Sequence, residues 1–284
     1  LAVVSCYFNP AGYQALKRNY LRFVSEFSRQ APLYIAEVAF EGDEFLTDAF
    51  VKIRASRERH CLWQKERLLN LVVERLPSNI DAVAWVDADV TFFDPFWFEK
   101  AIEALGEYHV CQLFDKWHFS NSEGQIVSAQ ESVGLHGERY WNLRGHPGGA
   151  WAARREVFPM DDTHILGGGD SMAIEGWLGI CDTFLQKQMN PDWFAYYRNW
   201  ADKAFQLVMG NVTSLNGHAL HWYHGERKHR HYAKRSQWLA DYHYDPERHI
   251  QLDANGLYAW SDAAPSGLVQ QVQRYFYDLR KEDE

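Results

Sequence analysis

The stretch WVDADVTFFDP, residues 85–95, carries three carboxylates, Asp87, Asp89 and Asp94, in an otherwise apolar run. Side chains alternate along a strand, so Asp87 and Asp89 are expected on one face, two residues apart. Like charges that close raise each other's pKa unless a cation lies between them. Oxygen ligands of this kind suit Mg²⁺ or Mn²⁺, and such a metal neutralises a phosphate leaving group. An acidic turn after a strand leaves the same letters, and the motif alone keeps both readings open.

Two more segments carry chemistry. GGGD, residues 167–170, opens a helical pattern. Its glycines let the backbone approach a ligand closely and take positive φ. Asp170 then either caps the helix or acts as a general base toward a substrate hydroxyl. In HWYHGERKHR, residues 221–230, imidazoles are acceptable to Mn²⁺ and Arg227, Lys228 and Arg230 can hold phosphates. The plainer alternative is a basic solvated segment.

These residues need elements to position them. AVVSCYF (2–8) reads as a buried strand, and Leu16, Tyr20, Phe23, Val24 and Phe27 form a helical stripe. PLYIAEVAF (32–40) is a second strand, residues 58–76 a helix ended by Pro77, and AVAWVDADV the strand that delivers the Asp pair. A helix from Pro95 and a strand at 109–114 follow. Strands alternating with helices predict an α/β fold with a mostly parallel sheet and its ligand site at the carboxyl ends of the strands. Residues 115–147 are polar and Gly-rich and are expected to form a long functional loop, with Trp117, His118, Trp141 and His146 as selectors of the acceptor. Order resumes at GGAWAARREVF (148–158), and GLVQQVQRYFYDL is in helical register.

Composition bounds the rest. The 284 residues are 46% hydrophobic and 24% charged, which excludes a disordered or fibrous chain. Aromatic content of 15%, with 12 Trp, suits a thick core or a site that stacks rings on sugars or bases. The net charge of −9 argues against a large nucleic-acid footprint, yet residues 218–235 set five lysines and arginines against Glu226 alone. A basic island in an acidic protein points to an anionic client. Cys6, Cys61, Cys111 and Cys181 lie far apart without a C-x-x-C pair, and a reduced cytoplasmic setting is expected. Neither a membrane-spanning run nor a signal-peptide pattern is seen.

Taken in order, WQKERLLNLV (63–72), WVDADV (85–90), HPGGAWAARREVF (146–158), GGGD (167–170) and HGERKHR (224–230) resemble the β-1,4-galactosyltransferases and related metal-dependent GT-A glycosyltransferases. In that family an F-N-R-A-K-L-L-N helix precedes the D-x-D strand. A G-G strand with a basic helix follows, then W-G-G-E-D, then a His with Lys/Arg just after it. The resemblance implies a GT-A, Rossmann-like sheet in a single domain over 1–284, with the nucleotide-binding half in 1–114 and the acceptor loop and catalytic part in 115–284.

It also implies roles. Asp89 would bind Mn²⁺ or Mg²⁺, with His224 as the later ligand and His221 in reserve. Asp87 would face the donor ribose, or reach the metal through water. Tyr7, Phe8, Asn9, Trp63, Gln64 and Lys65 would line the nucleotide site, with Lys228 on the diphosphate. Gly148 and Gly149 would lie against the donor sugar, and Gly168, Gly169 and Trp117 on the acceptor side. Asp170 matches the base that takes the acceptor proton, in a single displacement with inversion. Two positions depart from the pattern: Leu166 replaces a Trp before the glycines, and Gly169 replaces a Glu before the catalytic Asp.

The expected activity is therefore sugar transfer from a nucleotide sugar, UDP-linked, to an acceptor hydroxyl on a glycan or on a hydroxymethylated base in DNA. The competing classes are a glycoside hydrolase, which needs no phosphate site, a nucleotidyltransferase, which lacks its Gly-Ser turn here, and a non-catalytic sugar-binding module.

Overall fold

The computed structural model describes residues 1–134 and 145–283. The chain opens with β1 (Ala2–Tyr7), α1 (Gln14–Phe27), β2 (Leu33–Phe40) and β3 (Val51–Ala55). A single-turn helix α2 (Arg57–His60) and α3 (Lys65–Arg75) lead to β4 (Ala82–Val86) and β5 (Val90–Phe92). Next come α4 (Trp97–Glu107), β6 (Val110–Gln112), β7 (Lys116–Ser120), β8 (Ile126–Glu131) and β9 (Ala150–Arg154). Helices α5 (Gly169–Leu178) and α6 (Pro191–Val208) precede β10 (Val212–Ser214) and β11 (His218–His221). The remainder holds α7 (Tyr232–Asp241), α8 (Pro246–His249), the β12 (Ile250–Leu252) and β13 (Tyr258–Trp260) pair, and α9 (Ser266–Arg274).

Seven strands form the central sheet in the order β10-β6-β9-β4-β1-β2-β3. It is mixed and mostly parallel, as expected: only β9 runs antiparallel to its neighbours β4 and β6. Strand β4 shows why the sequence folds this way. Val83 and Trp85 enter the core beneath α3, with Leu68, Leu71 and Val72, while Ala84 and Val86 enter the core beneath α1 and α4, with Phe23, Phe27 and Trp97. A strand covered by helices on both faces must be apolar throughout, and AVAWV is.

Strands β2 and β3 lie to one side of β1 and β4 lies to the other, so the direction of sheet growth reverses between β1 and β4. That reversal opens a crevice at the carboxyl ends of the two strands, the usual ligand position in such sheets. A second sheet, β5-β11-β7-β8, flanks it.

Three expectations need correction. The helix read over 58–76 is broken. Residues 61–64 leave helical conformation so that Cys61 and Leu62 can be buried, and Trp63 N donates to Ile165 O at 2.9 Å. The strand read through Val90 stops at Val86. Asp87 N donates to Gly149 O at 2.8 Å, a turn follows, and β5 joins the other sheet, so the two carboxylates sit on a turn rather than alternating along a strand. The expected loop at 115–147 contains β7 and β8, which form an antiparallel pair. Strand β8 is solvent-exposed on nearly every residue and so carries no apolar alternation to read. Trp141 lies outside the described residues. Helix α6 had no expectation, although Asn190 caps it and Pro191 occupies its first turn. Among the described residues no helix is long and apolar enough to cross a membrane.

Candidate active site

At the crevice between β1 and β4 a chamber of about 130 Å³ is bordered by Tyr7 and Phe8 from the end of β1, Trp63 and Lys65 from the start of α3, and Asp87 and Asp89 from the turn after β4. It adjoins a second space of about 350 Å³ that reaches Trp117, Gly148, Gly149, Gly168 and Asp170. Phe8 meets Trp63 edge to face at 5.3 Å, and the Arg280 guanidinium lies 4.8 Å from the Trp63 ring. One wall is thus aromatic and cationic, a surface suited to a base and a phosphate.

The chamber is also bordered by Asp89, His221 and His224, whose ligand atoms all lie within 4.8 Å of one another. Asp89 Oδ2 is 2.9 Å from His224 Nε2 and 3.6 Å from His221 Nε2, and the two Nε2 atoms are 2.9 Å apart. The other oxygen, Asp89 Oδ1, is buried and has no hydrogen-bond partner among the described residues. A buried carboxylate oxygen is rarely left so. Burial would raise the Asp89 carboxyl, but the charges of His224 and Arg230 and the His224 hydrogen bond outweigh it and hold the group well below the usual carboxylate range. Burial pushes His221 down to about 3, leaving a neutral imidazole with a lone pair to give. An ionised carboxylate, a neutral imidazole and an orphaned oxygen fit a divalent cation. The resemblance held His221 in reserve; the structure brings it to Asp89 together with His224.

Lys65 Nζ sits between two carboxylates. It is 2.7 Å from Asp87 Oδ1 and 2.9 and 3.1 Å from the two oxygens of Asp170. Burial works against the ammonium charge, yet Asp170 and Asp87 outweigh it and hold the Lys65 pKa above its ordinary value. Burial, with Asp170 and Asp89 nearby, lifts Asp87 to about 6 despite Lys65. Asp170 is not a cap. Gly168, at φ 108°, occupies the N-cap position of α5, and no side chain bonds there. The Asp170 carboxylate therefore faces the cleft with only Lys65 as its hydrogen-bond partner among the described residues.

Two glycines mark close approaches of side chain to backbone. Gly149 has φ 97°, and a Cβ there would fall 2.1 Å from the Trp117 indole. Trp117 is itself fully buried and stacks on His146 at 4.6 Å. A Cβ on Gly169 would lie 2.4 Å from Glu66 Oε1, so the carboxylate of Glu66, delivered by α3, fills the space beside that backbone. Burial pushes Glu66 up to about 7.

Not every expected residue reaches the cleft. Asn9 is buried behind it, its side chain bonded to Tyr13 N and O at 3.0 and 2.8 Å to hold the turn after β1. Gln64 is likewise buried and exchanges hydrogen bonds with the Tyr258 backbone at 2.7 and 3.3 Å. Gly169 packs on Glu66 rather than lining the space. Lys228 pairs with Glu226 at 2.5 Å and is 67% exposed. Besides Lys65, Arg230 and Arg280 line both spaces, and Arg227 and Arg235 line the second. Arg280 and its neighbour Glu282 had no sequence signal: they follow α9, far along the chain from the D-x-D turn, and only the fold brings them there.

No protein-family model matches the chain, and no curated protein matches it. Among solved structures, glucosyl-3-phosphoglycerate synthase from Mycobacterium tuberculosis, in complex with Mg²⁺ and uridine diphosphate, is 12% identical, with 84% of this chain and 75% of that one covered at a TM-score of 0.38. The catalytic domain of Drosophila β-1,4-galactosyltransferase 7, in complex with xylobiose, is 14% identical over 76% of this chain and 66% of that one, at 0.30. The 4-diphosphocytidyl-2C-methyl-D-erythritol synthase of Anaerococcus prevotii is 12% identical over 76% and 87%, at 0.34. Sugar transferases and a nucleotidyltransferase appear side by side, and likeness at this level carries nothing about activity.

Proposed function

We propose that the chain is a metal-dependent, inverting glycosyltransferase that moves a sugar from a UDP-linked donor to a glycan hydroxyl. The observation that carries this reading is the meeting, in one cleft, of a cation-ligand trio (Asp89, His221, His224) with a carboxylate relieved of capping duty (Asp170). Two imidazoles in the set favour Mn²⁺ over Mg²⁺, which prefers oxygen. A cation held there would neutralise the charge gathering on the departing diphosphate.

The chain's own side chains supply the rest. Tyr7, Phe8 and Trp63 border the space for the base, and Asp87 is within reach of a ribose. Arg230 and Arg280 hold phosphate oxygens. The Lys65 ammonium offsets the charge of Asp87 and Asp170, so that a third anionic group can approach. Gly148 and Gly149 leave room for the sugar, and Trp117 and Gly168 border the acceptor side. Asp170 accepts the proton as the acceptor oxygen attacks the anomeric carbon. The bond to the diphosphate breaks, its electron pair leaves with UDP, and the configuration inverts. As in glycoside hydrolysis, positive charge builds on the sugar between these groups.

A panel of nucleotide sugars assayed for UDP release with Mn²⁺ tests the reading. Release should require the cation, stop in excess chelator and be lost in Asp89→Ala. Full turnover in chelator would overturn the metal assignment, and a retained anomer by NMR would overturn the single displacement.

A further inference from the structure

The segment after α9 belongs to the cleft although it lies nearly 200 residues beyond the D-x-D turn. Glu282 is fully buried, and its carboxylate is the hub of a charged cluster. Oε2 meets His224 Nδ1, and Oε1 meets Arg280 Nε and, at 3.3 Å, Arg230 Nε. The backbone that carries it is fastened on either side. Lys281 N donates to Tyr13 Oη at 3.2 Å, and Tyr13 Oη in turn donates to Phe276 O at 2.8 Å. The Asp283 carboxylate accepts from Gln14 N at 3.0 Å and Ala15 N at 2.7 Å, the first amides of α1. Those amides lack intrahelical partners and carry the positive end of the helix dipole, so the strap is held where an anion is welcome.

Resting on the cation reading above, we propose that Glu282 is a positioning residue for the metal site. It accepts the Nδ1 proton of His224, and so fixes the tautomer in which Nε2 keeps its lone pair toward Asp89 and His221. A ligating histidine that gives its second N–H to a carboxylate is oriented and made more basic. The same carboxylate ties Arg230 and Arg280 together, so one buried anion aligns both a metal ligand and the two guanidiniums that line both spaces of the cleft. Neither Arg can take over this role toward His224, because a guanidinium has no acceptor.

The test is Mn²⁺ titration of the whole chain without donor, read by the EPR signal of the free ion, with spin-echo modulation counting the imidazoles on the bound ion. Wild type should bind Mn²⁺ through two imidazoles, and Asp89→Ala should not bind. Glu282→Asp keeps the charge for the arginines but withdraws the carboxylate by one methylene. It should bind roughly 10- to 100-fold more weakly, with the modulation of one imidazole reduced. Absence of binding by wild type would sink the cation reading itself. Binding by wild type together with undiminished affinity and two full imidazole signals in Glu282→Asp would overturn the role given to Glu282 alone. Should that variant fail to fold, Glu282→Met, which offers no oxygen to accept the Nδ1 proton, is read in the same way, and equal affinity again overturns the proposal.

Discussion

Exchanging Asp170 for asparagine removes the proton acceptor while keeping its shape. The structure sets what should and should not change. Gly168 is the N-cap of α5 and no side chain caps that helix, so Asn costs no capping energy. The two contacts from Lys65 at 2.9 and 3.1 Å lose their anionic partner, but Lys65 keeps Asp87 at 2.7 Å, so the buried ammonium is not stranded. Replacing a charge-assisted hydrogen bond by a neutral one then costs about 1 kcal/mol, or roughly 2–4 °C in Tm for a chain of this size. Loss of a general base should instead slow turnover by about 10²- to 10⁴-fold, which is roughly 3–5 kcal/mol of barrier. UDP release from the donor, with water as acceptor, measures the rate, and calorimetry with UDP and Mn²⁺ measures binding, expected to stay within about threefold of wild type. An Asn variant turning over like wild type would refute the assignment. A parallel collapse of UDP affinity would make Asp170 a donor ligand instead.

Two more outcomes follow from the cleft. Gly149→Ala must place a Cβ 2.1 Å from the Trp117 ring at φ 97°, and strain plus overpacking should lower stability by about 2–4 kcal/mol; an unchanged melting curve would contradict the close contact. Arg280→Ala should weaken UDP binding about tenfold or more, through the loss of a charge-assisted contact, while the exposed Lys228→Ala should leave it within about twofold. The reverse order, measured by calorimetry, would return the phosphate role to Lys228.

What the sequence made legible was local. The apolar runs of β1 and β4, the stripe of α1 and the glycines before α5 announce themselves by period and composition, and so the sheet and the position of Asp87 and Asp89 at its carboxyl end could be read. The family resemblance pointed to His224 as a ligand with His221 in reserve, but only the pairing of β11 with β5 brings both imidazoles to the Asp89 carboxylate. Lys228 and Arg230 are equivalent letters in a basic run. The short helical turn at 227–230 sends one to solvent and the other to the cleft, a distinction of angle that composition does not encode. Asn9 and Gln64 stand beside residues that do line the site, yet each is spent on a backbone hydrogen bond that the fold requires. Glu282 and Arg280 were beyond reach, because their partners lie on elements that only the folded chain makes neighbours.

The contact between Glu66 and Gly169 has a consequence for how this chain can change over generations. The carboxylate from α3 occupies the volume that any side chain at 169 would need. A mutation that introduced a side chain at 169 would meet Glu66 before it met a substrate, and a mutation that shortened Glu66 alone would leave a gap with nothing at 169 to fill it. The two positions are therefore tied in inheritance: a descendant with a carboxylate on the α5 side must have given up the one on the α3 side, through an intermediate that is either crowded or hollow. Sequences that carry an acid at one of these sites should carry a small residue at the other.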